Sequence, residues 1–238
     1  DRSGSAALRR RGDLVMSSVQ VTRWWWVRHA PVVGYDGLIY GSQDVPADTS
    51  DEEAYQALAT GLPKDALWVT SHLSRTHVTA DAIGAAGLEH GERLVENGLG
   101  EQNFGEWQDK TYAEQDADWR TRFGEHTMHK FWYCPAEFRP EGGESFVDMI
   151  ERVSAVIHRL TEAHQGRNIV AVAHGGTIRA ALALALGLEP DRAFAFRTEN
   201  LSTTRIDHVQ GGGSGGDWRV AFINKRAGSK APASRQIA

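Results

Sequence analysis

The sequence predicts an α/β fold of three layers: a doubly wound, mostly parallel sheet with helices on both faces, a lid-like insertion and a C-terminal β-hairpin. Three observations point there. Short apolar runs ("WWWV", "ALWVT", "NIVAVA") have the length and residue types of buried strands. Stretches with helical spacing of apolar residues separate them. No internal repeat is present, which excludes a solenoid or a propeller.

The elements follow in order. "VTRWWWVRH" is strand-forming, and its Trp and Val side chains cover both faces of a pleat, as a central strand requires. Thr49, Ser50 and Asp51 then offer caps for a helix carrying Ala54, Leu58 and Ala59. "ALWVTSHL" is a second buried strand, "VTADAIGAAG" a small-residue helix and "ERLVEN" a short strand. Residues 101–141 read as an irregular, aromatic insertion with Pro135 and Pro140 as breakers, suited to a lid or pocket wall. Its aromatic residues are expected to form a small core of their own, with Trp107 or Trp132 also able to meet a substrate.

From Glu144 onward, Phe146, Ile150, Val153, Ile157 and Leu160 mark one face of an amphipathic helix, and Gly166 follows its end. "NIVAVAHGG" is a third buried strand, with the helix "TIRAALALALGL" beginning after its two glycines. "NLSTTRIDHV" and "DWRVAFIN" flank a glycine-rich loop and form the hairpin. The expected organisation is one domain over 21–224, an unfolded extension at 1–20, native or added in cloning, and a tail at 225–238. Three arginines near the start have no hydrophobic region after them, so a secretory or twin-arginine signal is not expected.

Bulk properties exclude several functions. The 238 residues carry a formal net charge of −5 with both signs interspersed, which gives no footprint for nucleic acid or an anionic membrane. No apolar run is long enough to span a bilayer. The single cysteine, Cys134, forms no internal disulfide and no thiolate cluster, so a reducing, cytoplasmic setting is expected. A homo-oligomer is left open. His126 and His129, or His72 and His77, lack the carboxylate and cysteine company of a zinc site, so no metal and no cofactor is expected.

Ligands of open α/β sheets bind beyond the carboxyl ends of the strands. Arg28 and His29 follow the first strand, Ser71, His72 and then Arg75 the second, and His174, Gly175 and Gly176 the third, where a helix opens. Guanidinium forks and free N–H groups at a helix start favour phosphate oxygens. A phosphate pocket is the inference.

These residues resemble the histidine phosphatase family, which includes the cofactor-dependent phosphoglycerate mutases. The resemblance rests on "RHA" at 28–30, "SHLSRTHVTA", "GLGEQNFGEW", "PEGGES" and "AHGGTIRAAL", which run in the family's order between residues 22 and about 224. It implies a phosphoglycerate mutase-like fold and a metal-independent phosphomonoester hydrolase acting on a small phosphorylated metabolite through a phosphohistidine. His29 would accept the phosphoryl group as a neutral ring, a state favoured by the neighbouring guanidinium charges. Arg28, Arg75, His174 and Gly175 would hold it, His174 also counting as catalytic, and Glu101 would act as acid and then base, with Glu106 the runner-up. The rival activities are a phosphoglycerate mutase and a phosphate-binding module without catalysis.

The sequence departs from the family's pattern after the histidine. Ala30 stands where the signature has glycine, and Pro31 replaces a polar residue, so the usual Thr and Asn ligands have no evident counterparts. The stretch "YGSQDVPAD" is similar to a loop of bacterial α-ribazole phosphatase-like members, and Ser42 in it is the candidate substrate ligand.

Overall fold

The computed structural model describes residues 20–124, 129–211 and 214–226. Of the expected extension at 1–20 only residue 20 lies within these, and of the expected tail at 225–238 only residues 225 and 226, Lys225 being the last residue of the final strand; His126 lies outside them. Six strands form one sheet in the order β3-β2-β4-β1-β5-β6, with β1 Val21–Arg28, β2 Ala66–Thr70, β3 Arg93–Val95, β4 Asn168–Ala173, β5 Thr203–Val209 and β6 Trp218–Lys225. β3, β2, β4 and β1 are parallel; β5 runs antiparallel to β1 and to β6, completing the hairpin.

β1 is central, and its side chains divide as a two-sided strand demands. Trp24 and Trp26 stack on one face at 5.0 Å, both buried, and the Trp24 indole N–H donates to Thr161 Oγ1. That face packs under α4 (Phe146–Ala163) and α5 (Gly175–Leu186). Val27 and the half-buried Trp25 point the other way, toward α1 (Glu52–Gly61) and α2 (Ser74–Ala85). Asp51 caps α1 by accepting from the Ala54 N–H, as its position predicts. The buried stripe of α4 runs through Met149, Val153, Val156 and Leu160, so Ile150 lies at its margin rather than at its centre.

Three sequence expectations need correcting. Arg75 is not ahead of the second helix but in its first turn. Gly175 and Gly176 do not precede the last helix; they are its opening residues. The insertion is not irregular throughout, because it contains α3 (Tyr112–Phe123), opened by a capping box in which Thr111 and Glu114 satisfy each other's backbone N–H groups. The pattern Thr-x-x-Glu was present in the sequence; the charged and aromatic residues around it hid the helical spacing.

The insertion has its own small core of Ile39, Phe104, Trp107, Trp119 and Cys134. Backbone hydrogen bonds from Ile39 to Lys110, Asp109 to Ile39 and Tyr112 to Gly37 join the 34–44 loop to it. Loop and insertion therefore form one wall over the carboxyl ends of the strands. Among the described residues no helix is long and apolar enough to cross a membrane.

Candidate active site

The strand registers bring the expected residues together. Arg28 lies opposite Ala173, and Thr70 opposite Val172, so His29, Ser71 and His174 leave the sheet at nearly one level. His29 and His174 follow adjacent strands, and their rings lie 5.1 Å apart, both fully buried.

The chain around His29 is fixed at every backbone group. His29 N–H donates to Ala173 O, Asn200 Nδ2 donates to His29 O, and Ala30 N–H donates to Thr79 Oγ1. Within the ring, Nδ1 lies 2.6 Å from Ala30 O. A carbonyl only accepts, so Nδ1 carries the proton and Nε2 keeps its lone pair. Nε2 is buried and has no hydrogen-bond partner. Burial, then the charges of Arg28 and Arg75, hold the His29 pKa well below its usual value, against a smaller opposing effect of the Ala30 carbonyl. The ring is neutral, as expected, but burial outweighs the guanidinium charges as the cause.

His174 is the complementary case. Arg75 Nε, which is always a donor, points at His174 Nδ1 from 3.3 Å, so the ring proton resides on Nε2 and is given to Ser71 Oγ at 2.8 Å. Burial first, then Arg75 and His29, depress the His174 pKa well below the ordinary range. Arg75 donates its other two nitrogens to Gln43 O and Gly41 O. It thus ties the 34–44 loop to His174.

Glu101 sits at the N-terminus of α5. Its Oε2 accepts from Gly176 N–H and its Oε1 from Gln102 N–H, which fixes the carboxyl group at the start of α5. Gly176 leaves room for Glu101: a Cβ there would meet Oε1 and displace the carboxyl group. Arg152 fixes the backbone below it, donating to Gly98 O, Gly100 O and Glu101 O while its other edge pairs with Glu144. Glu106 is elsewhere, bonded to Arg122 of α3 at 2.7 Å.

Arg28 and Gly175, each a chain neighbour of one histidine, line a cavity of about 140 Å³ with Glu101, Tyr40, Trp132 and Arg179. Arg28 Nη1 donates to Thr198 O at 2.6 Å, while its Nε is buried without a partner. Trp132 does line the cavity, whereas Trp107 is fully buried and stacked on Phe138. Ser42 is not brought in: its hydroxyl and its N–H both donate to Gln108 Oε1. Ala30 is fully buried in the core beneath α1 and α2, so its methyl group leaves the pocket unobstructed. Among the described residues no group of three or more His, Cys, Asp or Glu is placed to hold a metal ion.

Tyr40, Arg152, Arg179 and Thr198 were missed in the sequence. Arg179 alone carried a signal, since it lies four residues after Gly175 on α5 and so on the same face.

The sequence profile of the histidine phosphatase superfamily (branch 1) matches residues 24–221. Glucosyl-3-phosphoglycerate phosphatase of Mycolicibacterium vanbaalenii is 35% identical over 133 residues, 52% of this chain and 55% of that protein, so the chain spans about half the length of this relative. The adenosylcobalamin/α-ribazole phosphatase of Escherichia coli is 27% identical over 78% of this chain and 89% of its own. Phosphoglycerate mutases are among the relatives as well. The solved structure of a mycobacterial glucosyl-3-phosphoglycerate phosphatase superposes with a TM-score of 0.69 at 26% identity, covering 86% of this chain and 99% of that one. It has also been solved with inorganic phosphate. With the profile spanning most of the sheet and both histidines, the chain belongs to the histidine phosphatase superfamily.

Proposed function

We propose that this chain is a metal-independent phosphomonoester hydrolase that works through a phosphohistidine on His29. The observation that carries the proposal is the tautomer of His29: Nδ1–H is committed to Ala30 O, and the lone pair of Nε2 is unclaimed. In this reading Nε2 attacks phosphorus and the ester P–O bond breaks, with the proton of the Glu101 carboxyl going to the departing oxygen. Glu101, now a carboxylate, takes a proton from water. The oxygen of that water attacks phosphorus, the N–P bond breaks, and its electron pair returns to Nε2 as phosphate leaves.

Phosphoryl transfer is catalysed mainly by positioning and charge. Arg28 and the N-terminus of α5 at Gly175 face the cavity and supply both. Arg75 and His174 are expected in the clamp, and Arg75 keeps a further N–H on each terminal nitrogen for it; their hydrogen bonds to each other, to Ser71 and to the 34–44 loop give them a second part. They hold the wall and the ring in place. Glu101 is favoured over Glu106 because it lines the cavity while Glu106 is paired on the outer side of the insertion.

The test is turnover of p-nitrophenyl phosphate in EDTA by the wild type and by His29→Ala. Activity that survives EDTA and disappears in His29→Ala supports the proposal. Equal rates in the two proteins would remove His29 as nucleophile. Isomerisation of phosphoglycerate faster than its hydrolysis would make the chain a mutase, and ligand binding without turnover a binding module.

A further inference from the structure

We infer that Asn200 is a positioning residue for the nucleophile: its side-chain amide holds the peptide between His29 and Ala30 and so sets the direction in which His29 Nε2 points. The inference rests on the phosphohistidine reading and adds to it a residue, outside the charged groups of the cavity, on which the transfer step depends. Asn200 Nδ2 donates to His29 O at 2.8 Å, and at the other end of the same peptide Ala30 N–H donates to Thr79 Oγ1 at 2.9 Å. A peptide unit is a rigid plane, so the two bonds together stop it from turning.

Among the described residues the His29 ring makes one hydrogen bond, from Nδ1 to Ala30 O at 2.6 Å. Where Ala30 O lies therefore decides where Nε2 points, and that carbonyl follows the peptide plane behind it. Pro31 narrows the choice further, because the residue before a proline is held to extended conformations, and Pro31 O in turn accepts from Asp48 N–H at 2.7 Å. Ala30 and Pro31, the positions at which the sequence leaves the family's pattern, thus stiffen one side of the histidine. Asn200 holds the other.

The turn that carries Asn200 is shaped to present it. β1 and β5 pair as far as Val27 and Thr203. Beyond that pair Arg28 N–H still reaches Ser202 O, but Leu201 N–H takes Arg28 O, and Leu201 has φ +58°, a left-handed conformation uncommon for a bulky residue. The bend ends the ladder, and it is the side chain of Asn200 that meets the next carbonyl, His29 O. Leu201 is buried in one cluster with Val27 and Ala30, which holds the bend in place. From the other side Glu199 N–H donates to Asn224 Oδ1 of β6 at 2.6 Å, and Ser202 Oγ donates to Glu199 O. Asn200 also borders an open depression beside Arg28 and Arg197, so binding of substrate is the alternative role. The two roles differ in what they change.

A residue that aims the nucleophile changes the rate of transfer, whereas one that binds substrate changes affinity. Asn200→Ala is expected to slow single-turnover phosphorylation of His29 by p-nitrophenyl phosphate at least about tenfold, with the dissociation constant of inorganic phosphate within about threefold of the wild-type value. Asn200→Asp keeps the shape but turns an acceptor toward a carbonyl, and it should be no faster than Asn200→Ala. Wild-type transfer in either folded variant, or a loss confined to phosphate affinity, overturns the proposal. Should Asn200→Ala lose its fold, judged by near-UV circular dichroism, Asn200→Ser, whose hydroxyl is too short to span the gap, gives the same readings. Nitrogen NMR of the ligand-free proteins reads the cause: the Nδ1–H signal of His29 should shift or broaden in Asn200→Ala, while that of Nε2–H in His174 stays in place. An unmoved His29 signal overturns the inference whether or not the wild type turns over substrate. A moved signal in a protein that never forms phosphohistidine sinks the hydrolase reading and leaves Asn200 as the residue that orients the ring.

Discussion

Arg75 Nε donates to Nδ1 of His174, and this contact fixes which nitrogen of that ring carries the proton. A lysine at position 75 keeps the charge but loses the fork that reaches Gly41 O, Gln43 O and the ring together. Arg75→Lys is therefore expected to lower kcat/KM by about 10²-fold or more, as misplacement of a preorganised group does. Nitrogen NMR of the histidine ring checks the cause: Nδ1 of His174 is unprotonated in the wild type, and Arg75→Lys should release that constraint. Full activity in Arg75→Lys would show that the ring needs no such tie.

The two neutral histidines make stability depend on pH. Both have pKa values held below 6.5 in the folded chain, so below that pH the unfolded chain binds more protons than the folded one. Stability is then fully present above about pH 6.5 and falls as the pH drops toward the folded-state values, by up to about 1.4 kcal/mol per pH unit for each group. Urea midpoints measured between pH 7.5 and 5 should decline, less steeply in His29→Asn. An identical slope in both proteins would contradict the burial of a neutral ring.

Gly176 and Glu101 share a space that one methyl group would fill. Gly176→Ala places a Cβ against Oε1 of Glu101 and so displaces the carboxyl group, while also favouring the helix by about 1 kcal/mol relative to glycine. The expected result is a folded protein whose kcat has fallen at least about tenfold, most for substrates with poor leaving groups. Unchanged hydrolysis of alkyl phosphates by Gly176→Ala would detach Glu101 from the chemistry.

Arg152 touches no substrate in this account and acts only by holding the backbone of Glu101. Arg152→Met should reproduce part of the Glu101→Gln defect. Both variants should lose more activity on alkyl phosphates than on p-nitrophenyl phosphate, whose leaving group needs no proton. A purely structural role for Arg152 would reduce the two substrates equally.

Much of this was legible in the chain itself. The strands were, because "WWWV" and "NIVAVA" are short, apolar and bounded by polar residues, and the position of His29 and His174 at strand ends followed from them. Asp51 and Gly166 announced their helix ends for local reasons that survive folding. What could not be read depends on contacts distant in sequence. Arg152 is about 50 residues from the backbone it holds, and Thr198, whose carbonyl holds Arg28, follows a 3₁₀ turn at Pro190–Ala195 that has no periodic signature. Ser42 looked available because its partner, Gln108, lies 66 residues away. The capping box of α3 was local and visible, and was outvoted by the aromatic, proline-flanked composition of the segment around it.

The central claim concerns a covalent bond to one nitrogen, and the most direct measurement is to trap it. Wild-type protein mixed with a phosphomonoester and quenched in alkali within milliseconds is expected to carry an acid-labile phosphoramidate on His29, located by mass spectrometry, in amounts approaching one per chain and absent from His29→Ala. An unlabelled His29 in protein that is turning over substrate, or a phosphate on any other residue, would contradict the account.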